Sequence, residues 1–163
     1  MVNAVILGGG DVDERLKGFF DASVKALIPV AGKTCIEHVL EAVRATPDVD
    51  KIAVVGPPTV VEHEAVRLAD FKVAQTGDII GKLLASLEVL GHDRLLLMVS
   101  CDIPLATPEG FTEVIKNCPD DCALLHPIVE KPLAVSRVPD HLWFFIKLRD
   151  REIVTTNIMV LDP

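Results

Sequence analysis

The residues best suited to chemistry sit at two places in the chain. The first is Ser100-Cys101-Asp102-Ile103-Pro104-Leu105, which follows the unbroken apolar run Leu95-Leu96-Leu97-Met98-Val99. A carboxylate at the C-terminal tip of a central strand stands where open α/β sheets bind ligands, and a hard divalent cation favours it. Pro104, two residues on, fixes the turn that aims Asp102; a carboxylate that only caps this turn is the alternative. The second is Leu7-Gly8-Gly9-Gly10-Asp11, directly after the first apolar segment. Consecutive glycines cost backbone entropy, so they suggest a ligand or another chain segment pressed against the backbone. Such a loop can cradle a phosphate or nucleoside with its N–H groups, and a tight structural turn is the competing explanation. The dinucleotide pattern GxGxxG is absent, because the third glycine is immediate. Gly32-Lys33-Thr34 has only the tail of a P-loop, since Ile28-Pro29-Val30-Ala31 lacks the leading glycine. Lys25 and Lys33 bracket Ala26–Gly32, and either ammonium could hold a phosphate as a point charge or stay solvated.

Composition narrows the partners. The 163 residues suit one domain with a real core, and half of them are hydrophobic. The net charge of −8, with Lys and Arg scattered, offers no basic face for a nucleic acid. Six Phe, one Trp and no Tyr leave little to stack single-stranded bases on. An acidic protein that binds a nucleotide does so with backbone N–H groups, a few cations and Mg²⁺. No apolar run reaches the ~20 residues of a membrane span. Because Val2–Leu7 begins a strand with no basic segment before it, no signal peptide is evident and a cytoplasmic setting is expected. Cys35 and Cys101 read as buried thiols. Cys118 and Cys122 flank a turn with only His126 close enough to help hold a metal, too few ligands for zinc.

Apolar runs alternating with helix-period stretches predict βαβ units, a mainly parallel sheet and a Rossmann-like three-layer αβα fold. Expected strands are Val2–Leu7, Ile52–Val55, Phe71–Ala74, Arg94–Ser100 and Ala123–Leu125. Expected helices are Cys35 to Ala45, capped by Thr34; Thr59 to Ala69; one begun by Asp78 and ended by Gly91, with Leu83, Leu84, Leu87 and Leu90 inward; and one opened by Thr107-Pro108. Beyond Pro127 the pattern weakens. Trp143–Leu148 and Ile153–Leu161 read as an antiparallel C-terminal strand pair joined by Arg149–Glu152.

Taken together, these motifs resemble the nucleotidyltransferase superfamily with the glycosyltransferase-A-like fold, in the branch that contains molybdopterin-guanine dinucleotide biosynthesis protein A. The family's LxGG loop is matched by Leu7-Gly8-Gly9-Gly10. Its K-x-L-x-P-[VL]-x-G-[KR] motif is matched by Lys25-Ala26-Leu27-Ile28-Pro29-Val30-Ala31-Gly32-Lys33, and its D-x-P-[LF] motif by Asp102-Ile103-Pro104-Leu105. The resemblance implies that Leu7, Gly8, Gly9 and Gly10 wrap a nucleotide, that Lys25 holds phosphate, and that Asp102 binds Mg²⁺. It implies that Gln75 and Gly77, in Gln75-Thr76-Gly77, touch base or ribose, and that Thr156 and Asn157 lie on the acceptor side. Where many members carry an arginine motif after the first glycines, Asp11-Val12-Asp13-Glu14-Arg15 departs from it, with Arg15 displaced in register and three acidic residues around it. Residues 1–163 are expected to form a single nucleotidyltransferase-like domain lacking a C-terminal part, from which family enzymes supply a second metal ligand.

The reaction implied is Mg²⁺-dependent nucleotidyl transfer from an NTP to a small phosphorylated acceptor, with neither nucleic acid nor membrane as partner. Such transfer needs alignment and charge neutralisation rather than a side-chain nucleophile. Two alternatives stand beside it: a nucleotide-sugar-dependent glycosyltransferase, which more often presents D-x-D, and a non-catalytic nucleotide-binding regulatory domain. Cys101, His38 and His126 read as structural.

Overall fold

In the computed structural model, which describes every residue except Lys17 and Thr76, Val2–Leu7 forms β1 at the centre of a six-stranded sheet. Its residues are almost all buried, as a strand covered on both faces requires. Val49–Gly56 (β4) lies parallel on one side, with Val5 opposite Ala53, and Leu96–Ser100 (β6) lies parallel on the other, with Val5 opposite Met98. Phe71–Ala74 (β5) extends the sheet in parallel beyond β4. Past β6 the direction reverses: Ile158–Leu161 (β11) is antiparallel to β6, and Leu124–Leu125 (β7) is antiparallel to β11. The order is β5-β4-β1-β6-β11-β7. A short hairpin, Pro29–Val30 (β2) and Lys33–Thr34 (β3), leads into the first helix.

Helices cover both faces. Cys35–Arg44 (α1), Pro58–Val61 (α2) and Pro108–Lys116 (α4) lie on one face, with Ile36, Val39, Leu40, Val60 and Phe111 packed on Ala4, Ile6, Val54 and Val99. On the other face, Ile79–Leu90 (α3) sets Leu87 and Leu90 against Val5, Ala53, Val55 and Met98. The expected caps form. Thr34 and Glu37 make a reciprocal capping box on α1, and Asp78 and Thr107 accept from the N–H of the third residue of α3 and α4.

Four expectations are corrected. Thr59–Ala69 is not one helix: α2 stops after Val61 and a separate 3₁₀ turn spans Glu64–Val66, because the His63 ring accepts from the Ala65 N–H and restarts the chain. Leu84 points to solvent, 56 % exposed, since it lies one helical step off the Leu83, Leu87, Leu90 stripe. Ile153–Leu161 is two strands in different sheets. Glu152–Thr155 (β10) joins a small antiparallel sheet with Ile128–Glu130 (β8) and Ile146–Lys147 (β9), and the chain then enters the main sheet as β11. The switch falls at Thr156-Asn157: the Thr156 N–H donates to the Pro127 carbonyl at 3.2 Å, and the Asn157 carbonyl accepts from the Ser100 N–H at 3.0 Å. The paired part of Trp143–Leu148 is accordingly only Ile146–Lys147, and Lys131–Arg137 (α5) occupies ground beyond Pro127 with no earlier assignment.

Candidate active site

The chain leaves β1 toward β4 and later returns to β6 on the other side of β1, so the loops after β1 and β6 diverge at a topological switch point. Leu7 and Ser100 stand opposite each other at this edge, and Asn157 is tied to Ser100 through the backbone. One row of the sheet therefore presents the Gly-rich loop, the Asp102 turn and the start of β11 together.

Each glycine of the loop answers a different constraint. Gly8 is pressed onto β4 and α2: its N–H donates to the Val55 carbonyl at 2.8 Å, and a Cβ there would lie 2.9 Å from Val60 Cγ1. A Cβ on Gly56 would in turn meet the Gly8 backbone at 3.2 Å, so this glycine at the β4 tip helps to seat the loop. Gly10 has φ +109°, which disfavours any side chain, and its carbonyl accepts from the Lys25 N–H at 2.9 Å. A Cβ on Gly9 would lie 2.6 Å from Lys82 Nζ, on the first turn of α3.

Lys25 opens a 3₁₀ turn, Lys25–Leu27, anchored by the buried Ala26. Its Nζ lies 3.3 Å from Asp102 Oδ2, and the Ser100 hydroxyl donates to Oδ1 of the same carboxylate. These residues are 77 positions apart in the chain. Lys25 and Asp102 line a cleft of about 570 Å³ with Asp13, Arg15, Cys35 and Pro104. On its other side Asp102 lines a second cleft, of about 500 Å³, with Pro104, Leu105, Thr156 and Asn157. Leu7, Ser100, Ile79, Thr156 and Asn157 line a third, of about 270 Å³. The structure thus brings Lys25, Asp102, Thr156 and Asn157 to one place, with Leu7 and Gly8–Gly10 alongside. Gln75 and Gly77 lie further off, at the tip of β5, two strands from β1. The Gln75 N–H donates to the Gly56 carbonyl at 2.9 Å, and Gly77 has φ +104°. Thr76, between them, is outside the described residues.

The charged neighbours sort by partner. Asp13 grips Arg15 with both oxygens, at 2.9 and 3.0 Å. The Arg15 guanidinium and backbone N–H hold the Asp13 carboxyl far below the usual carboxylate range, and Asp13 raises Arg15 in return. Lys33 is bound to Glu41 of α1 at 2.6 Å, which ties its ammonium to that helix. The His38 and His126 rings sit at 2.8 Å from the Val30 and Thr156 carbonyls, so each braces a turn. Among the described residues no group of three or more His, Cys, Asp or Glu could hold a metal. Asp102 alone offers hard oxygen donors at the junction of two clefts. That suits Mg²⁺, which takes one or two carboxylates and completes its shell with phosphate and water.

Cys101 is buried between β1 and this turn, its sulfur 3.9 Å from the Gly9 carbonyl. Burial, and then the Asp102 charge, push its thiol up to about 12. Burial and Asp102 likewise raise Cys35. A raised thiol stays neutral at every pH below its pKa, and the neutral thiol is a poor nucleophile. Iodoacetamide at pH 8 is therefore expected to leave Cys101 unmodified in the folded protein while labelling it after unfolding. Peptide mass spectrometry reads this, and rapid labelling of native Cys101 would contradict it.

The MobA-like NTP transferase domain profile matches residues 4–138. The chain belongs to that family. It is 31 % identical over 119 residues to bifunctional protein GlmU of Francisella philomiragia, covering 70 % of this chain and 26 % of that protein. Against GlmU of Listeria innocua it is 31 % identical over 142 residues, 83 % of this chain and 30 % of that one. A hypothetical transferase from Thermus thermophilus superposes with a TM-score of 0.81 at 27 % identity, over 99 % of this chain and 65 % of that one. The chain thus spans less than a third of the length of these curated relatives. No helix among the described residues is long and apolar enough to cross a membrane.

Sequence reasoning missed Ser100, Gly56 and Lys82. Ser100 and Gly56 end β6 and β4 beside the loop, and that position was legible once those strands were assigned as neighbours of β1. Lys82 follows the Asp78 cap by four residues, which places it on the helix end that faces the strand tips.

Proposed function

We propose that the chain transfers a nucleotidyl group from an NTP to a small phosphorylated acceptor, releasing pyrophosphate. The observation that carries this is the position of Asp102, shared by a cleft containing Lys25 and a cleft containing Thr156 and Asn157. NTP and acceptor held in these two clefts would meet at one carboxylate. An oxygen of the acceptor phosphate attacks the α-phosphorus, the bond from that phosphorus to the bridging oxygen breaks, and pyrophosphate leaves with the electron pair. The residues contribute position and charge: the backbone N–H groups of Gly9 and Gly10 hold the nucleotide while Gly8 seats the loop on β4, Lys25 offsets charge that grows on the phosphoryl oxygens, and Thr156 and Asn157 orient the acceptor. Asp102 would hold Mg²⁺, which supplies Lewis-acid stabilisation of phosphoryl oxygens when bound. The pairing of Arg15 with Asp13 removes a cation from this site and favours the second reading, a nucleotide-binding domain without turnover.

Pyrophosphate release decides between them. With MgCl₂, one or more of the four NTPs and a panel of sugar, polyol and cofactor-precursor phosphates, pyrophosphate is expected in step with an acceptor–NMP conjugate seen by mass spectrometry. NTP-induced thermal stabilisation without pyrophosphate would favour the non-catalytic reading. Neither stabilisation nor release would sink both.

A further inference from the structure

The Lys82 ammonium stands against the Gly-rich loop: a Cβ at Gly9 would lie 2.6 Å from Nζ, so a side chain there would push the ammonium off the loop. Gly9 does not have the positive φ of Gly10, so space for this ammonium, rather than backbone conformation, is what a side chain there would violate. Lys82 is half-buried, and its ammonium takes no hydrogen bond or ion pair among the described residues. Among the described residues the other cations around the loop have ion-pair partners: Lys25 in Asp102, Arg15 in Asp13, Lys33 in Glu41. A partly desolvated ammonium without a counter-charge is unfavourable until an anion reaches it. On the reading above, the anion brought to this loop is the polyphosphate of a nucleotide.

We propose that Lys82 is a second phosphate-holding cation of the nucleotide site, acting on the loop at Gly9 while Lys25 acts beside Gly10. This inference rests on the nucleotide reading above. Lys25 already neutralises Asp102, and Asp11 and Asp13 make the start of the following segment acidic. A triphosphate therefore gains more from Lys82 than a monophosphate does, because among the described residues no other cation near the loop lacks an ion-pair partner.

Isothermal titration with the best-stabilising NTP and the matching NMP, each with MgCl₂, tests this. The wild-type protein is expected to bind the triphosphate more tightly than the monophosphate. Lys82→Ala is expected to shrink that preference by about tenfold, and Lys82→Arg to retain most of it. Circular dichroism and the ligand-free thermal midpoint, expected to match wild type, show that the variants fold. An unchanged triphosphate preference in Lys82→Ala would overturn the proposal, as would equal weakening of both ligands, which would make Lys82 a base or ribose contact. If wild-type protein binds no NTP, the nucleotide reading itself fails, and that outcome is distinct from wild-type binding that survives Lys82→Ala unaltered.

Discussion

Asp102→Ala is expected to lower pyrophosphate-releasing turnover by about 10³-fold while moving the ligand-free thermal midpoint little. The asymmetry follows from the site. Lys25 and Asp102 are 40 % and 28 % exposed at the side chain, and a pair this open to water contributes about 1 kcal/mol or less to stability. In the reaction, the same carboxylate faces both clefts and carries the negative charge that would hold a divalent cation. Asp102→Asn separates shape from charge: the amide oxygen can still accept from the Ser100 hydroxyl, which now bonds Oδ1, but the charge is gone. If charge is what matters, Asn and Ala are equally damaging. Lys25→Ala is expected to cost about 10²-fold, and the double variant less than the product of the two, because groups acting as a unit lose their function once. Turnover near wild type in Asp102→Ala, with folding intact, would remove the catalytic assignment.

Much of this candidate site was legible in the chain because the carrying information is local. Residues Leu95–Val99 announce a buried strand and the turn that follows it aims Asp102. Thr34 with Glu37, and Asp78 with the Gly81 N–H, are caps whose partners sit three residues away. What escaped is non-local. The three-residue β8 finds its partner in β10, more than twenty positions on, and its exposed alternate residues carry no strong periodicity. The break inside Ile153–Leu161 carries no Gly or Pro, only Thr156-Asn157: the run leaves one sheet for another because Pro127 and Ser100 capture neighbouring backbone groups. Arg15, readable as a phosphate ligand by type, is claimed by Asp13 two residues earlier, an arrangement that sequence permits but does not require. Leu84 shows the same limit inside a correctly placed helix, where one step of rotation decides burial.

Gly8→Ala is expected to damage activity out of proportion to stability, and to be partly repaired by a second substitution. The added methyl would lie 2.9 Å from Val60 Cγ1, and 3.4 Å from both Ile36 Cδ1 and the Val55 carbonyl. Val60 and Ile36 are fully buried, so neither side chain has an open direction in which to retreat. The loop must move instead, away from α2 and β4. Overpacking of this kind costs about 1–3 kcal/mol, which corresponds to a fall in the thermal midpoint of roughly 2–4 °C per kcal/mol for a chain of this size. The functional cost is larger, because displacing positioning groups by about 1 Å can lower turnover about 10²-fold. Cutting Val60 back to Ala removes Cγ1, the closest obstacle, and opens space for the new methyl. Val60→Ala alone is expected to be destabilising through its cavity, yet the pair Gly8→Ala, Val60→Ala should recover more turnover than Gly8→Ala retains. A positive coupling in this double-mutant cycle identifies the α2 contact as what holds the loop in register. Additive losses would mean instead that the β4 contacts, through the Val55 carbonyl and the Gly56 backbone, fix the loop without help from α2.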